Sequence, residues 1–213
     1  MSNLDLLKKL IKIESISPND NGCFDVIKQQ FEGLDFSFEE TSYKNISNLV
    51  ITNGNSKNKT FCFLGHTDVV PPGPESEWTV PPFSGEIIDN KIYGRGAADM
   101  KGGVACFISA LKEFLSEYKD PSFNIMVLLN SNEEGKLENG KVDRVINEMI
   151  DKDKFIDFCL IGEPSSSKKV GDVIRIGRRG SLSGNLKVYG IQGHVAYCLL
   201  YTSDAADDSI RVV

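Results

Sequence analysis

Residue types that could do chemistry stand at the ends of apolar segments in this chain. His66 and Asp68 directly follow the apolar run 60–64, which predicts a buried strand. A metal site needs a neutral imidazole ligand and a nearby carboxylate that orients it. Three further acidic positions stand at similar boundaries: Asp99, the pair Glu133 and Glu134, and Glu163. Together these residues predict a metallohydrolase.

The acidic residues could have different roles in a site that holds two divalent cations. Such a site needs a bridging carboxylate, terminal ligands and a trapped water. Asp99 suits the bridge, because flanking glycines let backbone and metal approach closely. Glu133 and Glu134 would point in different directions on an extended backbone, so one could bind metal while the other acts as a general base. Taken singly, each residue could instead be structural: a buried histidine, a solvated pair of glutamates or a turn at Glu163.

The elements that must position these residues alternate between helices and strands. Apolar spacing predicts helices near 4–17, 24–34, 102–118 and 139–150, and strands at 36–43, 48–52, 60–65, 124–130 and 155–161. This order predicts an α/β domain with a mostly parallel central sheet. Open parallel sheets place their sites at the carboxyl ends of strands, so the histidine and the glutamates should converge on one rim.

Composition limits the classes of partner. The net charge is −6 with no basic stripe, which argues against a nucleic-acid partner, and no apolar run reaches membrane-spanning length. The first residues lack a basic start and a continuous apolar core, so we expect no signal peptide. The five cysteines are scattered, and Cys62, Cys106 and Cys159 lie in apolar segments where we expect them to be buried. A reduced, cytoplasmic setting fits this pattern.

Longer motifs surround the candidate ligands and extend along most of the chain. They are HTDVVPPGP at 66–74, YGRGAADMKGG at 93–103, EEG at 133–135, GEPS at 162–165, GRRGSL at 177–182 and GIQGHVAY at 190–197. Over residues 1–197 the chain resembles the di-zinc amidohydrolase and exopeptidase family that includes acetylornithine deacetylases and aminoacylases. Within that family, the paired alanines, the PPGP loop and the paired arginines favour the desuccinylase branch.

The resemblance implies a role for each candidate ligand. His66 and Glu163 would be terminal ligands of one zinc, Asp99 would bridge to a second zinc, and Glu134 would bind that second ion. Cobalt could substitute for zinc at such a site. Glu133 would be the general acid and base of the reaction.

The resemblance also implies residues that orient or bind. Asp68 would orient the histidine ligand, and Arg178 would bind a substrate carboxylate through its guanidinium group. His194 matches a lid-domain histidine that, in the family, reaches the active site of the partner subunit. The implied reaction is hydrolysis of the small molecule N-succinyl-LL-2,6-diaminopimelate to succinate and LL-2,6-diaminopimelate. The alternatives are hydrolysis of another N-acyl amino acid, as in the deacetylases and aminoacylases, or a metal-binding module without catalysis.

The resemblance implies an incomplete zinc-exopeptidase-like α/β catalytic domain over 1–179. An inserted α+β lid and dimerisation domain would begin at 180–197. Residues 198–213 look like an in-frame translation of a sequencing adapter, so we expect an artefactual tail there. Family members continue to about twice this length and supply a last histidine to the second zinc. We therefore expect the 213-residue polypeptide to be inactive and not dimeric, whereas a full-length form would be a homodimer.

Overall fold

The structure is a computed structural model of the chain. The residues that it describes are 2–54, 59–135, 142–177, 184, 186 and 187. Contacts between Cα atoms divide the chain into two units, 1–172 and 173–213, and the first unit contains all the helices and strands given below.

Two helices precede the sheet. Helix α1 (Asn3–Ile11) begins at a capping box, in which the Ser2 hydroxyl and the Asp5 carboxylate each accept a backbone N–H of the other residue. Helix α2 (Cys23–Lys28) continues as one turn of 3-10 helix over Gln29–Phe31. Both helices bury apolar side chains, as the predicted spacing requires.

The strands of the described residues are β1 (Ser37–Tyr43), β2 (Ile46–Thr52), β3 (Thr60–His66), β4 (Ile87–Ile88), β5 (Lys91–Ile92), β6 (Asn124–Asn130) and β7 (Phe158–Ile161). Five of them form the central sheet in the order β1-β2-β6-β3-β7, and β4 and β5 form a two-stranded hairpin. Strand β2 is antiparallel to both neighbours, whereas β3 is parallel to β6 and to β7. Four of the five strands therefore run in one direction, which confirms the predicted α/β fold with a mostly parallel sheet.

Apolar side chains pack on both faces of this sheet. One cluster joins α1, α2 and helix α3 (Gly102–Glu117) to the sheet through residues such as Leu49, Phe63 and Val127. The other joins helix α4 (Val142–Ile150) to the opposite face. Every residue of β6 is buried, as predicted from its continuous apolar run.

The other predicted elements agree with the structure to within about three residues, but the first helix, predicted to reach 17, ends at Ile11. Two expectations of burial were also wrong. Cys62 is fully buried, whereas Cys106 and Cys159 are exposed. Cys106 lies on a solvent-facing position of α3. Cys159 lies on β7, which is at the edge of the sheet that the described strands form and whose four residues are all exposed. An apolar run in the sequence does not report whether its strand lies at the centre or at the edge of a sheet. Among the described residues, none of the helices combines the length and apolar character needed to cross a bilayer.

Candidate metal centre

His66 ends strand β3, and its imidazole is almost completely buried. Its Nδ1 lies 2.9 Å from the backbone carbonyl oxygen of Asp68 and 3.5 Å from a carboxylate oxygen of the same residue. A carbonyl oxygen can only accept a hydrogen bond, so Nδ1 is the protonated nitrogen. In the neutral ring, Nε2 is then the nitrogen whose lone pair is free for a metal, as in histidine ligands oriented by a carbonyl or carboxylate.

The Nε2 atom of His66 faces three carboxylates from three different segments. It lies 3.2 Å from Asp99 Oδ1, 3.6 Å from Glu163 Oε1 and 4.0 Å from Glu133 Oε2. The parallel register explains this convergence, because β3, β6 and β7 all end at the same rim of the sheet. Glu133 follows β6 by three residues and Glu163 follows β7 by two.

Asp99 is placed by the segment Ala97–Lys101, which leads into α3. Its backbone is extended, with φ −126° and ψ 101°, and its side chain is half exposed. The two residues after it are anchored in the interior. The Met100 sulfur accepts the backbone N–H of His66. The Lys101 ammonium group donates to the carbonyl oxygens of Leu10 and Ile13 at 2.8 Å each. These contacts fix the position of Asp99 beside the imidazole.

Asp68 is completely buried and connects the histidine to the glutamate pair. Its Oδ1 accepts the backbone N–H of Glu133 at 3.0 Å, and its Oδ2 accepts that of Glu134 at 3.1 Å and the Ser17 hydroxyl. Burial alone would raise the pKa of Asp68, but the hydrogen bonds from His66 and Ser17 and the charge of His66 outweigh burial and lower it. Asp68 is therefore ionised at neutral pH.

Glu133 and Glu134 lie in a bend at 131–135 and not on an extended backbone. Ligand atoms of His66, Glu133 and Glu134 lie within 4.8 Å of one another, and so do those of His66, Asp99 and Glu163. The expectation that adjacent glutamates would point apart was therefore wrong, because it assumed a strand-like backbone. The two overlapping groups give one histidine nitrogen and four carboxylates that could hold metal.

The electrostatics of this cluster favour a bound cation. Burial raises the pKa of Glu134, and the negative charges of Asp99 and Glu133 raise it further. Burial also raises the pKa of Glu163, with the same two carboxylates adding to it against an opposing effect of His66. Burial would lower the pKa of His66, but the hydrogen bond and charge of Asp68 and the charge of Glu163 raise it to about 9. The donors are nitrogen and oxygen atoms with excess negative charge, a set that fits divalent cations such as zinc.

Six of the eight residues predicted for the site lie within the described part of the chain and come together at this rim: His66, Asp68, Asp99, Glu133, Glu134 and Glu163. Arg178 and His194 lie outside the described residues. The sequence did not predict that Ser17, Met100 and Lys101 contact or position residues of the site. Lys101 lies inside the motif at 93–103, but nothing local in the sequence indicates that a lysine is buried.

These features define an α/β protein with a candidate metal centre at the carboxyl ends of its parallel strands. The chain belongs to peptidase family M20/M25/M40, whose model matches residues 62–207. This membership confirms the resemblance inferred from the motifs.

Two relatives and one solved structure are similar to most of this chain. The chain is 48% identical over 194 residues to a protein of Psychromonas ingrahamii named succinyl-diaminopimelate desuccinylase, covering 91% of this chain and 51% of that protein. It is 45% identical over 208 residues to a protein of the same name from Methylococcus capsulatus, covering 98% and 53%. A solved M20 family metallo-carboxypeptidase, Sso-CP2 from Sulfolobus solfataricus, is 25% identical with a TM-score of 0.63, over 76% of this chain and 37% of that one. The chain spans about half the length of the two named desuccinylases.

Proposed function

We propose that this chain forms part of a metal-dependent amide hydrolase that cleaves N-succinyl-LL-2,6-diaminopimelate into succinate and LL-2,6-diaminopimelate. The observation that supports hydrolysis is the convergence of one buried imidazole and four carboxylates at a single rim. The substrate is inferred from the names of relatives that are 45–48% identical. The proposed setting is the cytoplasm, where diaminopimelate would be made for lysine and the cell wall.

The proposed metal ligands are divided between two cations, with zinc as the metal and cobalt as a possible substitute. His66 and Glu163 would be terminal ligands of one ion, Glu134 would bind the other, and Asp99 would bridge them. When bound, such ions polarise the scissile carbonyl group and lower the pKa of a water molecule. Asp68 would keep His66 in the tautomer that leaves Nε2 free, through the contacts to Nδ1.

Glu133 is proposed as the general acid and base. Its carboxylate is about half exposed, so water can reach it, and its backbone N–H is fixed by the buried Asp68. It would accept the proton of the attacking water and then deliver that proton to the nitrogen of the leaving amine. This cycle returns Glu133 to its carboxylate form.

Two proposed residues lie outside the described part of the chain. Arg178 would bind a carboxylate of the substrate, since a guanidinium group can donate two parallel hydrogen bonds to it. His194 would stabilise the oxyanion in the active site of a partner subunit, which makes a homodimer the proposed form of the full-length protein.

The test joins residues 1–197 to the remaining half of the Psychromonas ingrahamii relative, so that the site is studied in a chain of full length. We expect zinc-dependent release of succinate from N-succinyl-LL-2,6-diaminopimelate. In the same chimera, Glu133→Gln should keep its zinc content and lose activity by about a hundred-fold or more, as expected when a general base is removed. A folded, zinc-loaded chimera that cleaves N-acetylornithine or N-acetyl amino acids instead would contradict the proposed substrate. Equal activity of the Glu133→Gln variant would contradict the proposed base.

A further inference from the structure

Two cysteines face each other across neighbouring strands. Cys62 of β3 and Cys159 of β7 are direct partners in the parallel register. Neighbouring strands lie about 4.8 Å apart, which is within the range of about 4.4–6.8 Å that Cα atoms span in disulfides. Directly paired residues project to the same face of a sheet, so the two sulfur atoms are on the same side. The backbone therefore presents the thiols at a spacing that one covalent bond can bridge.

The two thiols differ in their surroundings. Cys62 is fully buried beneath α4, in the cluster that contains Val50 and Met126. Cys159 is exposed, and among the described strands β7 is the last of the sheet on that side. The interaction between the two thiols lowers the pKa of Cys159 and, together with burial, raises that of Cys62. An oxidant in solution therefore reaches Cys159 before Cys62.

We propose that Cys62 and Cys159 form a reversible oxidation site at which a hydroperoxide generates an intramolecular disulfide. In the first step the Cys159 sulfur loses its proton and attacks one oxygen of the peroxide, so that an S–O bond forms, the O–O bond breaks and the sulfur is oxidised to a sulfenic acid. The other peroxide oxygen takes up the proton and leaves as water or an alcohol. In the second step the Cys62 sulfur attacks the Cys159 sulfur and releases its proton, and the departing hydroxide takes up that proton as water. One peroxide is reduced for each disulfide formed, and a thiol reductant reverses the change.

The position of this pair gives the bond a structural consequence. Cys62 lies four residues before His66, and Cys159 lies four residues before Glu163. The disulfide would join the two strands that carry these candidate ligands. Among the described strands, β7 pairs with β3 alone. A disulfide between them would therefore reinforce the pairing that holds β7 in the sheet.

The experiment oxidises the 213-residue protein, purified with reductant and then freed of it, with hydrogen peroxide. We expect loss of two of its five thiols per chain and a proteolytic peptide pair linked through Cys62 and Cys159, both restored by dithiothreitol. Cys159→Ser should lack this linkage and keep the Cys62 thiol. Cys106→Ser is the matched control, because Cys106 is also exposed but lies on α3, and it should form the linkage like the unaltered chain.

Two results would overturn the proposal. One is Cys159 found only in disulfides between chains or in higher oxidised acids while Cys62 keeps its thiol. The other is a linkage that forms only after unfolding, which circular dichroism of the oxidised protein would detect. Because the serine substitution is made at the exposed member of the pair, loss of the linkage will not reflect a collapsed core.

Discussion

Replacement of Asp68 by asparagine should disturb both the fold and the metal centre. The carboxylate accepts the backbone N–H groups of Glu133 and Glu134 and the Ser17 hydroxyl, and it lies 3.5 Å from Nδ1 of His66. An amide of the same shape has one acceptor oxygen and one NH2 group. Whichever way it turns, the NH2 group faces at least one of these donors. The substitution therefore removes a charge and leaves a buried N–H without an acceptor.

The expected loss of stability follows from these contacts. A hydrogen bond to a charged group contributes about 1.5–3 kcal/mol, and a buried donor without a partner costs about 1–3 kcal/mol. One lost bond and one weakened bond at this fully buried position give a loss of roughly 3–5 kcal/mol in the free energy of unfolding. Because Asp68 also orients the histidine, zinc affinity should fall by about ten- to a hundred-fold.

Two independent measurements test this estimate on Asp68→Asn. Urea unfolding without metal reports the free energy of unfolding, and competition with a chromophoric chelator reports zinc affinity. Asp25→Asn is the control, since it removes the same charge at an exposed position, where a change of about 0.5 kcal/mol or less is expected. If Asp68→Asn unfolds at the same urea concentration as the unaltered protein and binds zinc as tightly, the assigned role of Asp68 is wrong.

Three further predictions concern the same rim. Glu163→Gln, a substitution that removes a proposed ligand with little change in shape, should lower zinc affinity at least about ten-fold in the chelator assay while the urea midpoint changes little. Lys101→Met should cost roughly 2–4 kcal/mol in urea unfolding, because the carbonyl oxygens of Leu10 and Ile13 each lose a charged donor inside the protein, whereas Lys119→Met at an exposed position should have almost no effect. Removal of metal with EDTA should lower the thermal midpoint, and restored zinc should raise it in proportion to the logarithm of its concentration; a midpoint that ignores zinc would contradict the site.

Much of the fold could be predicted because its strands are continuous apolar runs. The run at 124–130 has the same bounds as β6, and the run at 60–65 differs from β3 by one residue. Placing the candidate ligands at one rim required only the order of strands and helices, since parallel strands share their carboxyl ends. Both inferences depend on patterns that are local in sequence.

What could not be predicted depends on contacts between distant segments. The hydrogen bonds from Glu133 and Glu134 to Asp68 span 65 and 66 residues, and no spacing rule anticipates them. The bend that brings both glutamates to His66 follows from those bonds. The exposure of Cys159 likewise depends on the place of β7 at the edge of the sheet of described strands, which is a property of the assembled sheet and not of the segment.

Contacts within the protein hold the candidate ligands in position. His66 is held through Nδ1 and its backbone N–H, Asp99 by the buried residues that follow it, and the glutamate pair by Asp68. Four carboxylates around one imidazole repel one another and would move apart if the fold did not hold them. The raised pKa values of Glu134 and Glu163, to which burial contributes most, record part of that repulsion. A divalent cation relieves it. Binding free energy is thus available to stabilise the fold, which is why the effect of zinc on unfolding is as direct a test of this centre as any measurement of turnover.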